Sequence, residues 1–296
     1  MPSAVSARAL ALLLTCAPLG ACRDGQSLAP AQGTAAQQQS VAFAPSASSP
    51  SASATSAPTK DLRLGPLRGV DWLEPLDLGD GDVAFVAAPV GATEPRPLVV
   101  AVHGAHDRPE WACGGWRLGF SEYPFVVCPR GVPVSRDKFA WSSSAAMARV
   151  VKKAVAHVRQ RFDAYVAPGP DVFAAFSQGA TLAEPFVSES AASFPTLILA
   201  EGGYDTLSSP RFAERFAKGG GKTVVVVCGT PGCRTRTSSA RRVLESAALR
   251  VFESGDVRSG HNLNSAMQAA LRRDHSHWFV GDPRWGSAAE TSKPGD

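Results

Sequence analysis

Ser177 stands in "VFAAFSQGATLAEPF" (172–186), where a wholly apolar run gives way at the serine to small, helix-compatible residues. A serine there is either a nucleophile held on a sharp strand-to-helix turn or a buried serine in a connection. As a nucleophile it would lie beside backbone N–H groups and the positive end of the following helix, an environment that stabilises the oxyanion of acyl transfer. The residues two before and two after it must be small, because strand and helix nearly touch across such a turn. Gly179 meets that requirement, and Ala175 adds one methyl group. A serine hydroxyl also needs a base beside it, so other elements must bring one.

Short β-branched runs predict strands: "DVAFVAA" (82–88), "PLVVAV" (97–102), "PFVVC" (124–128), "DVFAAF" (171–176), "TLILA" (196–200), "TVVVVC" (223–228) and "LRVFES" (249–254). Several are apolar throughout, as strands covered on both faces are. Helices are predicted over 142–162, which opens on serine caps and carries one apolar stripe, and over about 178–192, 210–218, 236–248 and 263–273. This alternation builds a mostly parallel sheet with helices on both faces, and ligands then sit beyond the carboxyl ends of the strands.

With the elements in that order, the motifs resemble the α/β-hydrolase superfamily over most of residues 70–280. "AFSQGA" (175–180) is most similar to the G-F-S-Q-G elbow of the carboxylesterase, phospholipase and acyl-protein thioesterase branch, with Ala175 where that branch has glycine. "VVAVHGAHD" (99–107) supplies, two strands earlier, the H-G pair that carries the oxyanion loop in the superfamily. The resemblance implies an α/β-hydrolase fold, no metal and no organic cofactor. It implies oxyanion donors at the backbone N–H groups of Ala105 and Gln178. It also places the base after the last core strand, where "LRVFESGDVRSGHNLN" (249–264) offers His261. His157 falls within a helix, His275 and His277 come after the following helix, and His106 reads as a solvated loop residue.

The acid departs from the pattern. Relatives place an aspartate after the strand corresponding to 223–228, and here that loop, "CGTPGCRTRTSS", has neither Asp nor Glu. Asp205 in "AEGGYDTLSS" (200–209) preserves the order Ser, Asp, His and is the expected acid. Asp256, Glu201 and a site without an acid stand as alternatives. The function implied is a serine hydrolase of small carboxylic esters acting through an acyl-enzyme, with peptidase or thioesterase chemistry open on the same scaffold. The alternative is a non-catalytic α/β-hydrolase-like lipoprotein that binds a ligand or a cell-envelope partner. Trp111, Trp116, Phe139 and Trp141 either line a pocket or pack.

The 296 residues, 44% hydrophobic and 19% charged, suit one domain with a good core plus non-globular sequence. A net charge of +4 spread over scattered basic residues gives no basis for nucleic-acid binding. Residues 1–22 read as a signal peptide, and "LGAC" resembles a bacterial lipobox, which implies lipidation at Cys22 and a membrane anchor. Arg23, rather than aspartate, after that cysteine points to the outer membrane; without lipidation the chain would be secreted. Residues 23–60, uncharged apart from a few positions and rich in Ala, Ser, Pro and Gln, read as a flexible tether, 61–285 as the hydrolase domain and 286–296 as a loose tail. Cys113, Cys128, Cys228 and Cys233 remain, an even set that in an exported chain suggests Cys228–Cys233 and Cys113–Cys128 disulfides.

Overall fold

The computed structural model describes residues 63–69 and 71–286. The signal segment, Cys22, the tether and the tail beyond 286 lie outside the described residues. Among the described residues no helix is long and apolar enough to cross a membrane.

The elements run β1 (Leu73–Asp77), β2 (Val83–Ala87), β3 (Leu98–Val102), α1 (Pro109–Gly119), β4 (Phe125–Pro129), β5 (Val132–Ser135), β6 (Lys138–Ala140), α2 (Ser144–Phe162) and β7 (Val172–Phe176). There follow α3 (Gln178–Leu182), α4 (Glu184–Glu189), β8 (Thr196–Ala200), α5 (Tyr204–Leu207), α6 (Pro210–Lys218), β9 (Thr223–Val227), α7 (Pro231–Ser246), β10 (Arg250–Ser254) and α8 (Ser265–Trp278). All seven expected strands are present. The expected helix over 178–192 is two, because Pro185 occupies the first turn of α4 and cannot continue a ladder from α3. Helix α7 starts earlier than its apolar pattern indicated: Pro231 takes its first turn, and Thr230 caps it by accepting from the Cys233 N–H. Strand β1, helix α1 and the β5–β6 hairpin were not anticipated.

The main sheet has the order β1-β2-β4-β3-β7-β8-β9-β10. β1 and β2 pair antiparallel, β2 also pairs antiparallel with β4, and the remaining pairs are parallel. Side-chain alternation divides the core into two layers. Val100, Phe173, Leu197 and Val224 face the layer covered by α2, α4, α6 and α7. Val99, Ala174, Ile198 and Val225 face the layer covered by α1 and α8. In that second layer Phe120 is surrounded by Trp116, His275, Trp278, Phe279 and Trp285, the last two stacked at 3.7 Å.

His275 is thus a core residue of α8 rather than a residue beyond it. Its Nδ1–H donates to the carbonyls of Leu271 and Arg272, its Nε2 is buried without a partner, and burial holds its pKa below the ordinary 6.5. The native state therefore binds fewer protons here than the unfolded chain, so this contribution is full above pH 6.5 and is lost as pH falls below it. Asp171, whose pKa burial pushes up to about 6 against the pull of Arg159, acts in the opposite sense. His275→Gln is expected to flatten the loss of stability between pH 7.5 and 5.0 in urea unfolding. Asp171 cancels in the difference between the two proteins, and an unchanged slope would refute the assignment.

Candidate active site

The site is built where β3, β7 and β8 end side by side. Ser177, the first residue after β7, sits at φ 51° and ψ −113°, a sparsely populated positive-φ conformation costing a non-glycine residue about 1–3 kcal/mol. Its N–H donates to the Ala200 carbonyl of β8 at 2.9 Å, which holds the turn against the neighbouring strand. A Cβ on Gly179 would come within 2.6 Å of Val102 Cγ1 and 2.7 Å of the His103 carbonyl, and one on Gly202 would strike the Ser177 carbonyl oxygen. Ala175 lies fully buried within β7, in register with Val102 on one side and Leu199 on the other. Its methyl group packs in the core layer that Phe173 and Leu197 share, and the turn forms with alanine in the place of glycine.

His261, on the loop between β10 and α8, reaches back over this rim. Its Nε2 is 2.8 Å from Ser177 Oγ, and its Nδ1 is 3.4 Å from Glu201 Oε2. The serine and histidine expected from the sequence are brought together, and the carboxylate beside that histidine is Glu201 rather than the expected Asp205. Asp205 is exposed in the first turn of α5, whereas Glu201, the first residue after β8, is buried with its side chain 3% exposed. Asp256 is also absent from the histidine: it caps Arg258 N–H and pairs with that guanidinium, which holds its carboxyl well below the usual range. Register explains the substitution of Glu201 for Asp205. Phe176 and Ala200 are paired, so Ser177 and Glu201 leave the sheet as neighbours, both at φ 51°. The signal in the sequence was a carboxylate directly behind the apolar run "TLILA", at the position Ser177 holds behind "VFAAF".

The Glu201 carboxylate is well supplied with donors. Oε1 accepts from Gly229 N–H at 2.6 Å and Thr230 N–H at 2.9 Å; the Thr230 hydroxyl lies 3.2 and 3.0 Å from Oε1 and Oε2. Tyr204 donates its hydroxyl to Oε2 at 3.4 Å, and burial, followed by this neighbouring carboxylate, pushes its pKa up to about 12.

The loop after β3 is tied down from two directions. His103 is completely buried; its Nδ1–H donates to the Gly104 carbonyl and its Nε2 accepts from Gly131 N–H, so only the neutral ring satisfies both. Burial holds its pKa below the ordinary value. Trp141 stacks on His103 and donates its indole N–H to the His103 carbonyl, while Gln178 binds both the N–H and the carbonyl of Trp141. The unforeseen β5–β6 hairpin adds a second tie, with Phe139 and Asp107 exchanging backbone hydrogen bonds and Lys138 donating to the His106 carbonyl. Gln178 is the first residue of α3, so its N–H has no acceptor within the helix. Ala105 borders the same cavity as Ser177.

That cavity measures about 490 Å³ and includes Ser177 and His261. Trp111, Ala112, Phe176 and Leu263 give it apolar surface, and His106, Lys138, Asn262 and Gln268 give it polar groups. Of the four aromatic candidates only Trp111, 60% exposed, borders it; Trp116 is a core residue, Trp141 braces His103, and Phe139 lies beneath Arg130. A second cavity, about 470 Å³, lies beside Asp171 at the other end of β7 and contains none of these groups.

Both anticipated cysteine pairs are at disulfide distance, with Cα separations of 5.7 Å for Cys113–Cys128 and 5.4 Å for Cys228–Cys233. Glu201, Cys228 and Cys233 place donor atoms within 4.8 Å of one another, but paired sulfurs offer no thiolate to a metal.

No family model and no curated protein sequence matches the chain. Its structure is similar to that of an uncharacterized protein from Bacillus cereus (15% identity, TM-score 0.50), over 64% of this chain and 61% of that one. It is also similar to a dienelactone hydrolase from Anabaena variabilis (12% identity, TM-score 0.50), over 71% of this chain and 98% of that one. A Klebsiella pneumoniae protein provisionally assigned as a dienelactone hydrolase gives 12% identity and a TM-score of 0.51 over the same shares. Together with the parallel sheet, its two helical layers and the turn at Ser177, these likenesses show that the chain has an α/β-hydrolase fold.

Proposed function

We propose that the chain is an exported serine hydrolase of small carboxylic esters. The observation that carries this reading is the 2.8 Å approach of His261 Nε2 to Ser177 Oγ, with buried Glu201 on the far nitrogen. Ser177 Oγ attacks the ester carbonyl and its proton passes to His261 Nε2. The Glu201 carboxylate faces the Nδ1–H and balances the imidazolium that forms. The N–H groups of Ala105 and Gln178 receive the oxyanion. His261 then returns the proton to the departing alcohol, and water deprotonated by the same nitrogen releases the acid and restores Ser177. The cavity suits a small ligand with both apolar and hydrogen-bonding parts.

A fluorophosphonate probe is expected to label the wild-type domain and not Ser177→Ala, and kcat on p-nitrophenyl acetate to fall at least ~10³-fold in that variant. Labelling that persists in Ser177→Ala would defeat the proposal. Replacing Glu201 by Gln is expected to lower kcat by about 10²–10⁴-fold, by analogy with loss of a triad acid. Asp205→Asn should stay within about twofold of wild type. The reverse ranking would return the acid to Asp205.

Export and anchoring through Cys22 are supported by the leader, the lipobox-like "LGAC" and the two cysteine pairs. Cells fed radiolabelled palmitate are expected to label the full chain but not Cys22→Ser; equal labelling of both would exclude this anchor.

A further inference from the structure

The side chain of Glu201 hangs from a backbone at φ 51°, with two methylene groups between Cα and the carboxylate. Nothing in β8 itself fixes the direction of that arm. Its shortest contacts all come from Gly229 and Thr230, which belong to the loop closed by Cys228 and Cys233. Cys228 directly follows β9 and Cys233 lies in the first turn of α7, so the bridge fixes the strand exit against the helix entry. Within the loop, Cys233 N–H donates to Thr230 Oγ1 at 3.2 Å. A hydroxyl has one proton, and with a lone pair engaged by Cys233 that proton is directed to Glu201. The start of α7 also presents its positive end to the carboxylate.

We propose that Thr230, held in the Cys228–Cys233 loop, is the positioning residue for Glu201, and that this bridge keeps the carboxylate aimed at His261 Nδ1. The inference rests on the esterase reading of the site. Thr230 touches neither the nucleophile nor the cavity, and it acts through Glu201. The arrangement also explains a departure from the usual pattern: the loop after β9 lacks an acid because it serves as the cradle for an acid on the neighbouring strand. Both sulfurs are buried, Cys228 at 2% and Cys233 at 1% exposure, so soluble reductants reach them poorly in the folded protein. The bridge therefore acts as a permanent part of the site, and cysteine variants are the way to test it.

Four purified variants are compared with wild type on p-nitrophenyl acetate, with thermal unfolding as a control for folding. Thr230→Val and the double variant Cys228→Ser/Cys233→Ser are expected to lose about tenfold or more in kcat with KM changed by less than about twofold. Thr230→Ser, which keeps the hydroxyl, is expected to restore kcat. Cys113→Ala/Cys128→Ala, which removes the other bridge, is expected to keep wild-type kcat. If the wild type turns over and the first two variants match its kcat, the inference is overturned and the proposed function stands. A KM change as large as the kcat change, or loss in Thr230→Ser equal to that in Thr230→Val, also overturns it. A wild type inert to both ester and fluorophosphonate overturns the proposed function instead. Amide hydrogen exchange then decides the geometric part: Gly229 and Thr230 should lose protection in Cys228→Ser/Cys233→Ser, and unchanged protection refutes it.

Discussion

The convergence of three strand ends into a space too small for extra atoms governs this molecule. At the rim formed by β3, β7 and β8, Gly104, Gly179 and Gly202 stand where a Cβ would crowd Ser177, Phe176, Val102 or the His103 carbonyl. Ser177 and Glu201 both adopt positive φ because their chains must turn away at once to leave that space clear. Each such residue costs about 1–3 kcal/mol, offset by the wholly buried parallel strands beneath. Parallel register then sets the chemistry: the Phe176–Ala200 pairing sends the hydroxyl and the carboxylate out side by side, and one histidine from the β10 loop spans both.

Two histidines of this rim live in opposite surroundings. His103 is buried, both ring nitrogens are occupied, and its neutral form is the one the structure satisfies. It serves as a rigid spacer that brings no charge to the loop after β3. His261 is 53% exposed, with one nitrogen facing a hydroxyl and the other a carboxylate. The same side chain is a fixed brace in one place and, on the proposed mechanism, a proton carrier in the other, because burial and partners differ.

Much of this was legible in the sequence. The seven apolar strands and the small residues around Ser177 follow from local pattern, and the H-G pair and His261 were singled out by the resemblance. Type and chain order favoured Asp205, whereas register, a relation between β7 and β8, decides which carboxylate comes near Ser177. Helix α1 escaped notice because its sequence, "PEWACGGWRLG", carries three glycines, two within its middle. It is held by burial of Ala112, Cys113 and Trp116 rather than by propensity. The β5–β6 hairpin has four exposed residues in β5, and its pairing with the loop after β3 is long-range. Neither contribution leaves a mark in a short window of residues.

The cavity beside Ser177 is bordered on one rim by a largely exposed indole and on the other by a half-exposed imidazole. Both rings are thus open to solvent in the described chain. On the proposed chemistry, the water that breaks down the covalent intermediate enters by this open side of the cavity. On the same reading, discrimination between substrates falls to the side chains that line the cavity, Trp111 and Lys138 among them.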